Sequence, residues 1–369
     1  MSATSRLRVL TTILGTVYAT QVVAEFKHET SNGGSALLYG QLDPSYLSFD
    51  DGASTTSEIA DNNNSNSRIG FWYRKPTDFG KFSINLETSL GLGPSSSMSQ
   101  NNTPDAIDWQ RTDIRKVEAI WDTDRFGTIY LGQGSMSSDG ASSQDLSGTT
   151  LVLYNSISDT AGAFLFRTKA GVLGTKTIGK AFGSYDGGRK ARVRYDTPSY
   201  GGIRLSVSYG KEVLAEDADT EVADVGLLYS RQVGSVKMAG AVAYSQVKSG
   251  SEVTQHDTVG SFSLLHDTGV NVTVAAGNRK EAGNYVYGKL GYKADWLSVG
   301  STALAIDYYS GQDTTSEGSE SGSFGIGVVQ SFDKAKVEAY LGYREYRLKE
   351  DAATYRDAAS VLLGARWKF

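Results

Sequence analysis

The chain has 369 residues, with 36 Lys+Arg against 41 Asp+Glu, no Cys and 3 His. Without cysteine there is no disulfide framework, thiolate nucleophile or cysteine-held cluster, and His28, His256 and His266 are too scattered for a histidine metal site, so neither metal nor cofactor is expected. The mildly acidic balance argues against nucleic acid as a partner, while 42 Gly and 21 Tyr beside only 5 Pro favour a chain of strands and turns.

Arg6 and Arg8 precede a short apolar stretch, and Val22-Val23-Ala24 precede Glu25. A charged start, an apolar middle and small residues at the end predict a secretory signal peptide over residues 1–24, cleaved after about Ala24, and one domain over residues 25–369. No later run approaches the roughly 18 apolar residues of a transmembrane helix. The rest of the chain reads as short alternating segments. Residues 36–43 open the series, residues 50–66 and 91–109 are long and polar, and residues 75–80 form a tight link. In residues 202–210, Ile203, Leu205, Val207 and Tyr209 share one face, with Arg204, Ser206 and Ser208 on the other. That is the period of a strand. The pattern recurs over residues 236–244, 270–274, 302–309 and 337–344, with tight links at 231–234, 266–269 and 332–334. Counting from Ala36 gives about sixteen segments, and an even number suits a closed membrane barrel.

A soluble propeller or sandwich has the same period, so the faces must decide. The polar face is rich in Arg, Lys, Ser, Gly and Asp. We assign Tyr39, Tyr73, Tyr209, Tyr229, Tyr244, Tyr292, Tyr308 and Tyr343 to the apolar face near strand ends, the arrangement of an aromatic girdle around a polar lumen. The last segment places Val361, Leu363, Ala365, Trp367 and Phe369 on one face. Its alternation into a terminal aromatic resembles the barrel assembly signal of Gram-negative outer membranes, with Trp367 and Phe369 as its residues. The predicted fold is all-β: a transmembrane, antiparallel, up-and-down barrel of about 16 strands.

Short motifs across the whole mature chain resemble the general bacterial porins, the trimeric sixteen-stranded diffusion channels of Gram-negative bacteria. Residues 36–43 look like that family's opening strand, Ser67-Arg68-Ile69-Gly70-Phe71 its second, Arg115 with residues 126–133 its fourth and fifth, and residues 192–202 its sixth strand and turn. Where relatives end strand five in Gly-Arg, this chain has Gly132-Gln133. The resemblance implies that the connection over residues 135–188 folds inward as the third external loop and narrows the lumen. It also implies outer-membrane lipid, two further copies of the chain, and small hydrophilic solutes and ions as partners.

Charge within that loop is segregated. Residues 135–160 carry Asp139, Asp145 and Asp159 without Lys or Arg, while residues 161–188 carry Arg167, Lys169, Lys176 and Lys180. We expect Asp139 and Asp145 to face Arg68, Arg192 and Arg194, with Arg115 and Arg204 completing a basic wall and a transverse field across the gap. The same arginines could instead brace the barrel, and the sign of ion preference stays open. In strand four an inward Arg115 would turn Lys116 and Glu118 outward, which only a bulged or protein-covered wall would tolerate, a hint that this wall meets protein. Other readings are a substrate-selective channel, a barrel enzyme and an adhesion barrel. None of the histidines adjoins a G-x-S-x-G elbow. A plugged structural barrel should carry bulky inward residues, whereas Ala239, Ala241, Ala243, Ser301, Ala303 and Ala305 are small.

Overall fold

Alternating sequence points every second side chain the same way, and here it builds a closed antiparallel barrel of 16 strands. The computed structural model describes residues 26–369 apart from 124, 217 and 251. The expected signal peptide lies outside the described residues. Strand β1 runs as Ser35–Leu42 and Pro44–Asp50, broken at Asp43. Strand β2 runs as Thr55–Asp61 and Arg68–Thr77. The polar stretch expected as one long loop over residues 50–66 is therefore partly strand, with Thr55–Asp61 pairing against Pro44–Asp50 of β1. The wall continues as β3 (Gly80–Ser89), β4 (Ile114–Thr123), β5 (Gly127–Ser135), β6 (Arg189–Asp196), β7 (Ile203–Lys211) and β8 (Thr220–Val233). It is completed by β9 (Val236–Ser249), β10 (Glu252–His266), β11 (Val270–Arg279) and β12 (Asn284–Leu297). Last come β13 (Gly300–Gln312), β14 (Glu320–Phe332), β15 (Val337–Glu350) and β16 (Ala358–Lys368).

β16 closes the ring. It pairs with β1, and the backbone of Phe369 exchanges hydrogen bonds with Gly40 at 3.0 and 3.1 Å. A short strand, Phe26–Glu29, takes up the edge of β1 just beyond that point, pairing Phe26 with Leu38. Outward faces are apolar. Ile203, Leu205, Val207 and Tyr209 all stand exposed, as do Val272 and Val274. Trp121, Tyr195, Trp296, Phe332 and Trp367 girdle the short-turn end, and Tyr209, Tyr244, Tyr308 and Phe324 the long-loop end. Tyr39 departs from this scheme. Its hydroxyl donates to Glu87 at 2.8 Å and contacts Asn85 inside the barrel, so it belongs to the lumen face.

Strand heights differ around the ring. β9 and β10 have 14 and 15 residues, whereas β5, β6 and β7 have 9, 8 and 9. Roughly ten residues are needed to cross the hydrocarbon band at the usual tilt, so the wall is low on the β5–β7 side. Strand β4 carries a bulge. Glu87 pairs with Lys116, but Thr88 already pairs with Ile114. The extra residue lets Arg115 and Glu118 both point inward, which corrects the expectation that one of them must face out. The outward charges proposed as a hint of a protein-covered wall are therefore absent at this place.

Candidate functional site

Residues 136–188 run along the inner wall, held by polar residues of one strand after another. Ser137 N donates to Ser208 Oγ on β7 at 2.8 Å, and Ser138 N to Asp224 on β8 at 2.8 Å. Gln144 N and Leu146 N donate to Ser261 and Ser263 on β10 at 2.8 and 2.9 Å. On β12, the ammonium of Lys289 reaches Asp145 at 2.6 Å and also donates to Ser147, Thr149 and the Leu153 carbonyl. Leu151 to Leu153 then lie buried against β14 and β15, and Asn62 and Asn64 of the β2 break grip the Leu151 carbonyl from the far side.

Small residues make room for this crossing. A Cβ on Gly327 would lie 2.7 Å from Val152 Cγ2, and one on Gly342 would lie 2.8 Å from Val152 Cβ. The small inward face is thus the bed of the loop, not an open lumen, which corrects its use as evidence for an unplugged interior. Beyond the crossing the loop builds an aromatic core within the barrel. Phe164 stacks on Phe49 at 4.1 Å, Phe182 meets Tyr309 at 5.3 Å, and Tyr309 stacks on Tyr285 at 5.2 Å. Gly327→Val is expected to push the Leu151–Leu153 segment off β14 at a cost of about 1–3 kcal/mol. Raised proteolysis of the folded protein within residues 149–156 checks it.

The open side of the lumen lies along β2–β7. There the arginines come in sets that share carboxylates. Arg115 Nε binds Glu87 Oε1 at 2.6 Å, Arg68 Nε lies 3.9 Å from Oε2 of the same group, and Arg68 also reaches Gln41 at 3.2 Å. Arg194 makes a two-pronged bond to Asp196 at 2.7 and 2.9 Å, and Arg204 approaches that carboxylate at 3.5 Å. Outside that stretch, on β15 and β16, Arg366 and Lys368 share Glu338 at 2.6 and 2.7 Å. Arg192 alone has its own partner, Glu118, at 2.5 Å, and it also ties down the Ser135 carbonyl at 3.0 Å. Arg189 follows the loop directly, within electrostatic reach of both Arg68 and Arg115. Its buried Nε has no hydrogen-bond partner among the described residues.

The loop carboxylates are arranged differently from the expectation. Asp145 is consumed by Lys289 across the barrel and faces none of Arg68, Arg192 and Arg194. Asp159 sits inside the loop, where Tyr154 donates to it at 2.6 Å and Asn63 at 3.3 Å. Burial pushes its carboxyl up to about 6. Asp186 is likewise pushed up to about 6 by burial and then by neighbouring Asp139, while it accepts the N–H groups of Gly140 and Ser142 at 3.0–3.1 Å. Only Asp139 acts on the basic wall, within electrostatic reach of Arg115. Arg192 and Arg194 each donate to carbonyls at the start of the loop, and both also line the open lumen. Sequence reasoning missed Arg74, Lys116, Arg189 and Arg366. The signal that would find Arg74 and Arg366 is alternation, since Phe71 and Tyr73, and Leu363 and Trp367, mark the outward faces.

The raised carboxyls give a pH dependence with a defined sign. A carboxyl whose folded value lies near 6 takes up a proton on folding between about pH 4 and 6. Loop docking should therefore strengthen as pH falls from 6 to 4 and weaken as it rises through 6. Hydrogen exchange over residues 137–163, corrected for intrinsic rate, checks this, and D159N/D186N should flatten the profile.

A closed sixteen-stranded barrel with an apolar outer face, an internal loop and a charged lumen defines an outer-membrane pore. The sequence model of the Gram-negative porins matches residues 12–351, and the chain belongs to that family. It is a passive diffusion channel for ions and small hydrophilic solutes. No curated protein matches the sequence. Among solved structures, the fold is similar to an anion-selective porin from Comamonas acidovorans, with 15% identity over 91% of this chain and 100% of that one at a TM-score of 0.58. It is also similar to the outer membrane channel DcaP of Acinetobacter baumannii, with 12% identity over 94% and 100% at 0.59. The trimer form of OmpT from Vibrio cholerae gives 14% identity over 91% and 99% at 0.56.

Proposed function

We propose that this channel prefers anions. The observation that carries the reading is the shared carboxylates. Glu87, Asp196 and Glu338 each serve two cations, so three pairs of basic side chains keep a net positive charge. Arg74 and Lys116 line the open cavity and Arg189 stands within electrostatic reach of Arg68 and Arg115, so all three add to it. Of the loop carboxylates, Asp145, Asp159 and Asp186 are turned into the packed side of the barrel, which leaves Asp139 to oppose this charge. The similar porin from Comamonas acidovorans is described as anion-selective, which agrees in direction. The zero-current potential in a potassium chloride gradient tests it: a sign set by chloride supports the reading, and one set by potassium rejects it.

The working form we propose is a trimer joined through its low wall. Strands of 8 or 9 residues are short for lipid contact, yet Leu131, Val193 and Val207 there remain apolar and exposed, as a protein-covered face requires. Mass measurement in mild detergent showing only single chains would rule this out. The export route we propose begins with the signal peptide over residues 1–24 and ends with assembly directed by Trp367 and Phe369, whose rings lie 5.1 Å apart at the seam.

A channel is favoured over a barrel enzyme by the state of the histidines. His266 Nε2 lies 2.9 Å from Ser235 Oγ in a short turn, a pairing the sequence did not suggest. Its Nδ1 meets the Thr268 hydroxyl at 2.8 Å, so hydroxyls hold both ring nitrogens where a general base is oriented by a carboxylate.

A further inference from the structure

Below the loop, on the short-turn side, the lumen opens into a cavity of about 750 Å³. Its lining is basic. Arg74, Lys81, Lys116, Arg192, Arg194 and Arg204 face it, against Glu118 and Asp122. Glu118 is taken by Arg192, and Asp122 lies 3.6 Å from Lys81. Asp196 is already held at both oxygens by Arg194, which leaves Arg204 with a distant share.

The pairing register fixes how the cations at the two ends of the cavity are spaced. Arg74 pairs with Ser83, Ser83 with Ile120, Ile120 with Tyr130, and Tyr130 with Arg194. Arg74 and Arg194 thus stand in one row, four strands apart, about 19 Å along the wall at the usual spacing of about 4.8 Å. Both are long side chains that reach into the cavity from opposite ends of the row. Each is also held: the Arg74 guanidinium lies 4.3 Å over the Trp72 ring, and that of Arg194 5.3 Å from the centre of Tyr130. Lys116 and Arg204 flank the row on neighbouring strands.

Such a frame suits one type of solute best. A single negative charge can be met by any one of these cations. Two charges on one small molecule can be met from both ends of the row at once, by groups already fixed in place. We propose that this cavity is a transit-binding site for small anions carrying two or more negative charges, held between Arg74 and Lys116 on one side and Arg194 and Arg204 on the other. The inference rests on the anion preference argued above and adds the solute class to it.

Purified protein in planar bilayers tests it. In potassium chloride, citrate and inorganic phosphate are added in turn, with acetate as the monovalent comparison. Citrate is expected to reduce the chloride current at concentrations where acetate has no effect. In R74Q/K116Q the citrate needed for half block should rise at least tenfold, while Arg347→Gln at the far, exposed end should leave it unchanged. Block by citrate but not phosphate assigns the site to carboxylates, and block by phosphate but not citrate to phosphate groups; both outcomes support it. Equal block by acetate, no block by either polyanion, or block unaltered in R74Q/K116Q overturns the site. A potassium-selective zero-current potential would instead reject the anion preference itself, so the two failures are distinguishable.

Discussion

Lys289→Met should give a wider and noisier channel than the natural chain. Lys289 is fully buried in the wall, and its ammonium ends on four oxygens of the loop, with Asp145 at 2.6 Å. Removing one partner of a buried pair leaves the other charge uncompensated, at a cost of about 3–5 kcal/mol. The folded protein can escape most of that cost by letting Asp145 swing into the aqueous side, which takes residues 144–149 off β10 and β12. The barrel should survive, because the strand ladders on either side are untouched. Single-channel recording is expected to show higher conductance with frequent substates. Combining Lys289→Met with Asp145→Asn removes both charges and should return conductance toward the natural value. Unchanged conductance in Lys289→Met would mean the loop is not held by this contact.

The second large effect is on selectivity. Arg68→Gln and Arg115→Gln should each shift the zero-current potential only modestly toward cations, since the remaining arginine still covers Glu87. The double variant strips both arginines from one carboxylate and leaves Glu87 with the Tyr39 hydroxyl and the more distant Lys116. Two positive charges then disappear from the waist and one negative charge becomes free, so the shift should exceed the sum of the single shifts. Additive shifts would show that the two arginines do not share Glu87 in the working channel.

How far these features could be read from sequence follows from which interactions are local. The facing of β7 was legible from five residues, because apolar Ile203, Leu205 and Val207 alternate with polar neighbours whatever lies around them. The facing of β4 was not, since the bulge beside Arg115 is set by the register of β3 and leaves no mark in the alternation. Tyr39 was misread for a related reason: a tyrosine suits both the girdle and a buried hydrogen bond, and only Glu87, 48 residues away, decides between them. The route of the internal loop was further from reach. Asp145 meets Lys289 across 144 residues. Lys289 lies beside outward-facing Leu290, so alternation is compatible with its inward position, but nothing local says which of the loop acids it meets. The small inward residues were read as empty space because an alanine under a packed loop and an alanine lining water have the same pattern.

We propose that solutes pass along the basic β2–β7 wall while the loop fills the opposite side. Because the chain has no cysteine, single cysteines can be placed on either side and treated with a charged thiol reagent during current recording. Thr128 lines the open cavity, whereas Ala303 is buried beneath Gly148 of the loop, which a Cβ at that glycine would approach to 3.3 Å. Modification of Thr128→Cys is expected to cut the current promptly, and Ala303→Cys should show no response. Rapid block through Ala303→Cys with Thr128→Cys silent would place the pore on the wrong side of the barrel and contradict the account.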